Sequence, residues 1–307
     1  MKKPYNTEIN KRMMITADWH LRSDKPRCRL DEDWEYTQKE MVRWIVETAN
    51  NYNADLYIIG DIFDTPTVPA RILNMFIEEM LKITNHVYFL AGNHDLPQHA
   101  IENINNSSIG IMFNYSRYND PVINMIPKQF AFNNFNTEIE GDKKSKVLFT
   151  HRLVFKDKKS CPPFGDNITA SDLLKEYDWT DWIFTGDMHN SFHYEKDGRH
   201  VINPGCILRQ TADMLDYKPS IYYVEMGINH IEKIELPDDG AMVTDEYLRA
   251  EEVRDDRITA FVEGIKKGEN ISLSITDNIK NAIKKNKKTL EPSIICMIES
   301  LVEEAQA

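Results

Sequence analysis

Five apolar runs in this 307-residue chain each end on side chains able to bind a cation or move a proton. Met13 to Ala17 leads into Asp18-Trp19-His20, and Leu56 to Ile59 into Gly60-Asp61-Ile62-Phe63-Asp64. Val87 to Leu90 leads, through Ala91, into Gly92-Asn93-His94-Asp95; Val147 to Thr150 stops on His151; Asp181 to Thr185 runs into Gly186-Asp187-Met188-His189. Possible ligands are therefore Asp18, His20, Asp61, Asn93, His151, Asp187 and His189. Oxygen and imidazole donors without thiolate suit Mn²⁺, Fe²⁺, Mg²⁺ or Zn²⁺. Seven donors exceed the needs of one tetrahedral ion and point to two ions sharing a carboxylate. Such a pair, ~3.5–4 Å apart, activates a water for hydrolysis of a phosphate ester.

Positioning these residues requires buried strands with polar C-terminal ends, where open α/β sheets keep their sites. Met41, Trp44, Ile45, Thr48 and Ala49 recur at helical spacing and predict a helix over about 34–50. Ile72, Leu73, Phe76, Ile77, Met80 and Leu81 predict a second. The alternation of strand and helix to Asp95 reads as a right-handed parallel arrangement. Short apolar runs over 108–136 read as antiparallel strands, 170–177 as a short helix, and Lys196-Asp197-Gly198 as a hairpin turn. Strands near 200–203, 220–226 and 230–235 are expected to complete a second sheet. The expected fold class is α/β: two packed mixed β-sheets flanked by helices in four layers, over residues 1–240. Residues 241–307 read as a small helical C-terminal appendage able to dock a partner, with apolar stripes at Ile279 and Ile283 and at Ile294, Ile295, Ile298, Leu301 and Val302.

No apolar run approaches the ~20 residues of a membrane span. The first residues lack the apolar core of a signal peptide, and Cys28, Cys161, Cys206 and Cys296 form no Cys-x-x-Cys pair, as expected of reduced thiols in a cytoplasmic protein. A net charge of −12 argues against general attraction to nucleic acid. Residues 1–30 are nevertheless basic, with Lys2, Lys3, Lys11, Arg12, Arg22, Lys25, Arg27 and Arg29 against Glu8, Asp18 and Asp24. None of the 12 glycines precedes a lysine, so a nucleotide loop of the Gly-x-x-x-x-Gly-Lys type is absent, and any ATP must be handled by another chain.

In this order, Asp18-x-His20, Gly60-Asp61-x-x-Asp64, Gly92-Asn93-His94-Asp95, His151 and Gly186-x-x-His189 resemble the blocks of the calcineurin-like metallophosphoesterases. Within that superfamily Thr16 to Leu21, Gly60 to Thr65 with Pro69-Ala70-Arg71, and Ala91 to Asp95 look most like SbcD-type DNA repair nuclease subunits. Asn203-Pro204-Gly205-Cys206 with Arg209 resembles the later loop that closes the site. The resemblance covers about residues 13–235. It implies Asp18, His20, Asp61 and His189 around one metal, and Asp61, Asn93, His151 and Asp187 around another. His94 would stabilise or protonate the leaving oxygen, oriented by Asp95. It further implies Mn²⁺ as the usual activator, DNA as substrate for exo- or endonucleolytic hydrolysis, and an SbcC-type ABC ATPase as partner, with a homodimer also open.

One position departs from the pattern: Asp187 stands where the family normally has a His, which would favour Mn²⁺ or Mg²⁺ over Zn²⁺. Arg22 and Arg209, with Arg27 and Arg29, are candidate phosphate contacts. His86, His99, His193, His200 and His230 read as surface or packing residues. Two other functions share the same residues: a stand-alone phosphodiesterase on a nucleotide or small ester, and a non-catalytic binding module.

Overall fold

The computed structural model describes residues 12–118, 123–135, 137–165, 167–237 and 243–246. The first sheet begins with β1 (Arg12–Thr16), β2 (Asp55–Ile59) and β3 (Val87–Leu90), joined by α1 (Trp34–Asn51) and α2 (Ala70–Met80). Asp33 caps α1 by accepting a hydrogen bond from Tyr36 N, which satisfies one of its free donors. The chain continues through α3 (Ser108–Tyr118), β4 (Ile123–Met125), β5 (Ala131–Asn133), β6 (Glu140–Gly141), β7 (Val147–His151) and α4 (Ala170–Glu176). It then adds β8 (Trp182–Gly186), β9 (Phe192–Lys196), β10 (Arg199–Asn203), β11 (Ser220–Glu225) and β12 (His230–Glu235).

Two six-stranded mixed sheets result, ordered β12-β11-β1-β2-β3-β4 and β6-β5-β7-β8-β10-β9. In the first, β1 to β4 are parallel and β11 and β12 antiparallel; in the second, β5, β7, β8 and β10 are parallel and the two edges antiparallel. The apolar runs are continuous because both faces of the central strands are covered. Met13, Ile15, Tyr57 and Ile59 face Val147, Phe149, Trp182 and Phe184 across the inter-sheet core, where the Tyr57 and Phe149 rings stack 5.0 Å apart. Met14, Leu56, Ile58 and Phe89 point the other way, under α1 and α2, and Leu148 and Ile183 pack beneath α4. The layers are thus helix, sheet, sheet, helix, as the sequence implies.

Two expectations for the connections fail. Residues 108–118 form α3, because Ile109 and Met112 are one helical turn apart on a buried face and Ser107 caps the helix through Gly110 N. An apolar run this short does not separate helix from strand by periodicity. The strands that follow, β4 and β5, pair in parallel with β3 and β7. Likewise β11 and β12 extend the first sheet beside β1, and only β9 and β10 complete the second. Alternation fixes a strand's faces but carries no information on its sheet. The Lys196-Asp197-Gly198 turn is present, with left-handed φ at Asp197 and Gly198 as a two-residue hairpin needs. The compact unit containing these elements ends at Asp245. The helical appendage expected over 241–307 lies, apart from residues 243–246, outside the described residues.

Candidate metal centre

All five strand ends converge where the C-terminal ends of β1, β2 and β3 meet those of β7 and β8. Beyond β1 and β2 the two chain segments stay clamped: Asp18 N bonds Gly60 O at 3.2 Å, His20 N bonds Asp61 O at 3.0 Å and Leu21 N bonds Ile62 O at 2.9 Å. Asp18, His20, Asp61 and Asp187 all take left-handed φ, between 45° and 72°. Such backbone is costly for a residue bearing a side chain and clusters at functional sites. Gly60 adds a fifth left-handed residue, where a Cβ would strike the His151 ring, and a Cβ on Gly92 would strike Asp61.

At these strand ends, among the described residues, three ligand triplets have their donor atoms within 4.8 Å of one another: Asp18/His20/His189, Asp18/Asp61/His151 and His20/Asp64/His94. Asp61 Oδ2 lies between two imidazoles, 3.3 Å from His151 Nε2 and 3.7 Å from His20 Nε2. The His20 ring meets His94 and His189 edge-on at centroid distances of 4.7 and 5.0 Å. Asn93 joins through Oδ1, 3.1 Å from His151 Nε2. His151 Nδ1 donates to Ile59 O at 2.7 Å, which turns Nε2 towards Asn93, Asp61 and, at 4.0 Å, Asp18. Four electron-pair donors facing one another repel unless a proton or a metal ion lies among them.

The donors fit divalent ions by their unmet polarity. Asp18 Oδ2 and both His20 nitrogens are buried without a hydrogen-bond partner. A buried polar atom without a partner costs about 1–3 kcal/mol, so a constellation of them marks a place for a ligand. Protons respond accordingly. Burial, reinforced by Asp61, raises the Asp18 carboxyl to about 7, although His151 and His20 oppose it. Burial would also lower His151, yet Asp61, Asp18 and Asp187 raise it to about 10. Asp61 goes the other way: burial acts to raise it, but His151, His20 and His94 hold it below the ordinary carboxylate range. His189 is lowered to about 4 by burial and His20.

Asp187 donates its backbone N–H to Asp18 Oδ1 at 3.0 Å. Among the described residues its carboxylate joins none of the three triplets and reaches the centre as a charge on His151.

His94 is not oriented by Asp95. Its Nδ1–H donates to the backbone carbonyl of Asp64 at 2.8 Å, while the Asp95 carboxylate accepts from Gly92, Ile62 and Phe63 N and pins the two loops together. Sequence neighbours after a sharp turn point in different directions, and three backbone donors outcompete one imidazole. Arg209 is also corrected: it is 8% exposed and donates to Leu215 O, and its own carbonyl accepts from Arg29. Arg29 is buried against Asp31, so neither guanidinium is presented to a phosphate. Arg22 remains at the rim, paired with Asp24 and, at 3.0 Å, with Asp64; Arg27 is exposed.

Several supporting residues are missed by reasoning from sequence. Asp64 places Oδ1 3.5 Å from His20 Nδ1 and so orients that ring; its place at the end of Gly-Asp-x-x-Asp is the available signal. Asn134 accepts from Ala91 N, His99 donates to Asn93 O and Gln210 donates to the Trp19 and His20 carbonyls, none with a local motif to announce it. The loop after β10 braces His189: Cys206 N bonds its carbonyl, and Asn203 holds the carbonyls of Met188 and Asn190.

Fold and donors define a metallophosphoesterase, a metal-binding hydrolase. The chain belongs to the calcineurin-like phosphoesterase family, whose profile matches residues 11–191. It is 35% identical over 88 residues to the SbcD component of the Escherichia coli K12 nuclease SbcCD, a match spanning 27% of this chain and only 21% of that protein. Among solved structures it is similar to an archaeal phosphodiesterase (TM-score 0.40, 15% identity, 73% of this chain and 99% of the other). A dimetal phosphatase from Danio rerio gives TM-score 0.40 and 12% identity over 74% of this chain and 99% of the other. The zinc-bound Vps29 of Entamoeba histolytica gives 0.34 and 12% over 73% and 98%. Among the described residues no helix is long and apolar enough to cross a membrane.

Proposed function

We propose that this chain is a DNA nuclease, hydrolysing phosphodiesters with two divalent ions, Mn²⁺ foremost, and working with an ABC-type ATPase of the SbcC kind. The observation that carries hydrolysis is the buried constellation of Asp18, His20, Asp61 and His151 with donors left unmet. Asp18, His20, Asp61 and His189 would hold one ion; Asp61, Asn93, His151 and Asp187 the other. Bound ions supply an activated water and neutralise charge developing on the phosphate. Asp64 holds His20 in register, and Asp95 fixes the loop that delivers His94. Because His94 Nδ1–H is committed to Asp64 O, Nε2 is the atom left to meet a phosphate oxygen or protonate a leaving group. DNA as substrate rests on the 88-residue likeness to the SbcCD component and on the blocks shared with it. Residues 241–307 are proposed as the docking region for the ATPase.

Hydrolysis of a small diester is the second reading. It is favoured by the net charge of −12 and by the burial of Arg29 and Arg209, which withdraws two of four candidate phosphate contacts. The test is incubation of the full chain with Mn²⁺ and either end-labelled duplex DNA or bis-p-nitrophenyl phosphate. Cleavage of both, abolished by chelation, is expected. Cleavage of the small diester alone would shift the substrate to the second reading, and cleavage of neither would overturn the hydrolase.

A further inference from the structure

We propose a second metal site, away from the strand-end centre, on the β9–β10 hairpin: His193, Glu195 and His200 bind one divalent ion of borderline softness, Zn²⁺ by preference. The register places all three on one face. His193 and Glu195 are two apart on β9, and His200 of β10 lies directly opposite Glu195. Their ligand atoms lie within 4.8 Å of one another. His193 Nε2 and His200 Nδ1 face each other at 3.1 Å, with the rings 5.3 Å apart and inclined by 30°. Two nitrogens at that spacing can share one ion, and the Glu195 carboxylate supplies a third donor.

The cluster is buried at one end and exposed at the other. His200 is 1% exposed and stacks on Trp182 at 4.3 Å, which fixes its ring, whereas Glu195 is exposed. Three protein ligands with a solvent-facing fourth position is a common zinc arrangement. Burial lowers both imidazoles, with the His200 charge further disfavouring that of His193, which favours the neutral form that binds metal. Two imidazoles and one carboxylate select Zn²⁺, Co²⁺, Ni²⁺ or Cu²⁺ over Mg²⁺ and Mn²⁺. His200 pairs with Trp182 at the start of β8, whereas Asp187 follows its end, about 16 Å along the chain. The rival account of the pair is an ordinary hydrogen bond between two neutral imidazoles.

The experiment strips the full chain of metal, re-equilibrates it at fixed free Zn²⁺ and counts bound zinc by mass spectrometry for wild type, His193→Gln and Glu195→Gln. Wild type should retain one more equivalent than His193→Gln, with Mn²⁺-dependent diester hydrolysis within about twofold of wild type as a check that the strand-end centre is intact. Glu195→Gln, an exposed change that spares the fold, should raise the dissociation constant for that last equivalent at least about 10-fold. Equal zinc content in wild type and His193→Gln overturns the site. If His193→Gln does not fold, an unchanged dissociation constant in Glu195→Gln overturns it as well.

Discussion

Two buried polar clusters draw on the two ends of the segment between β1 and α1, and they are built oppositely. Around Arg29 the charges are matched within the protein. Its Nε and Nη2 donate to the two Asp31 oxygens at 2.7 Å each, Thr37 Oγ1 adds 2.9 Å, and Lys25 reaches the Asp31 carbonyl at 2.8 Å. Around Asp18 and His20 the donors face one another and atoms are left without partners. The first arrangement completes itself on folding; the second is complete only with something bound. Burial of charge alone therefore does not mark a site, whereas burial with unmet valence and left-handed backbone does.

Asp18→Asn offers the sharpest way to break this contrast. It removes a carboxylate common to two of the triplets, so Mn²⁺-dependent diester hydrolysis should fall at least about 10³-fold. Yet the metal-free protein should lose less than about 1 kcal/mol in urea unfolding, because the carboxylate it removes is disfavoured where it stands. The Asp18 carboxyl is raised to about 7 in the folded chain, so its contribution to metal-free stability is present at low pH and lost as pH rises from about 4 to 7. A strong loss of apo stability in Asp18→Asn would erase the distinction.

Asp31→Asn is the counterpart. It strands the Arg29 charge and should cost about 3 kcal/mol of stability with or without metal. Burial acts to raise the Asp31 carboxyl, but hydrogen bonds from Arg29 and Thr37 hold it below its ordinary value. This stabilisation is therefore full above about pH 4 and lost as pH falls through the lowered folded value. Thermal unfolding of the variant across pH 3–7 checks it.

His94→Ala should slow hydrolysis about 10²–10⁴-fold while leaving metal content unchanged, since Nδ1–H is committed to Asp64 O and Nε2 is the atom proposed to meet substrate. Metal loss with activity would instead make His94 a ligand. Asp64→Asn should weaken metal affinity about 10–100-fold through His20, read by competition with a chromophoric chelator. Smallest is Asp187, whose carboxylate lies outside the three triplets and reaches His151 as a charge: Asp187→Ala should weaken binding of the second Mn²⁺ by no more than about 10-fold, and Asp187→His should broaden metal use.

Much of this is legible in the chain. The apolar runs become five strands because both faces of each are covered, and polar residues at their ends stand out against that background. Asp18, His20, Asp61, Asn93, His151 and His189 are brought together as their order implies. The rest depends on tertiary partners. Residues 108–118 form a helix because one face finds the core beneath it, and β11 and β12 join the first sheet beside β1. Asp95 turns to three backbone N–H groups, and Arg209 to a carbonyl, since a side chain's direction after a turn is not encoded in its spacing. The His193–His200 pair reads as surface or packing in the sequence because residues seven apart meet only once the hairpin register is known.

The most direct test of the strand-end centre is a Mn²⁺ titration of the metal-stripped full chain, following bound metal and bis-p-nitrophenyl phosphate hydrolysis together, with Asp18→Asn alongside. Hydrolysis should be absent without metal and rise to a plateau as two equivalents bind to wild type, with Asp18→Asn binding less and remaining inactive. Full activity before any metal is added, or wild-type binding and turnover in Asp18→Asn, would contradict the assignment.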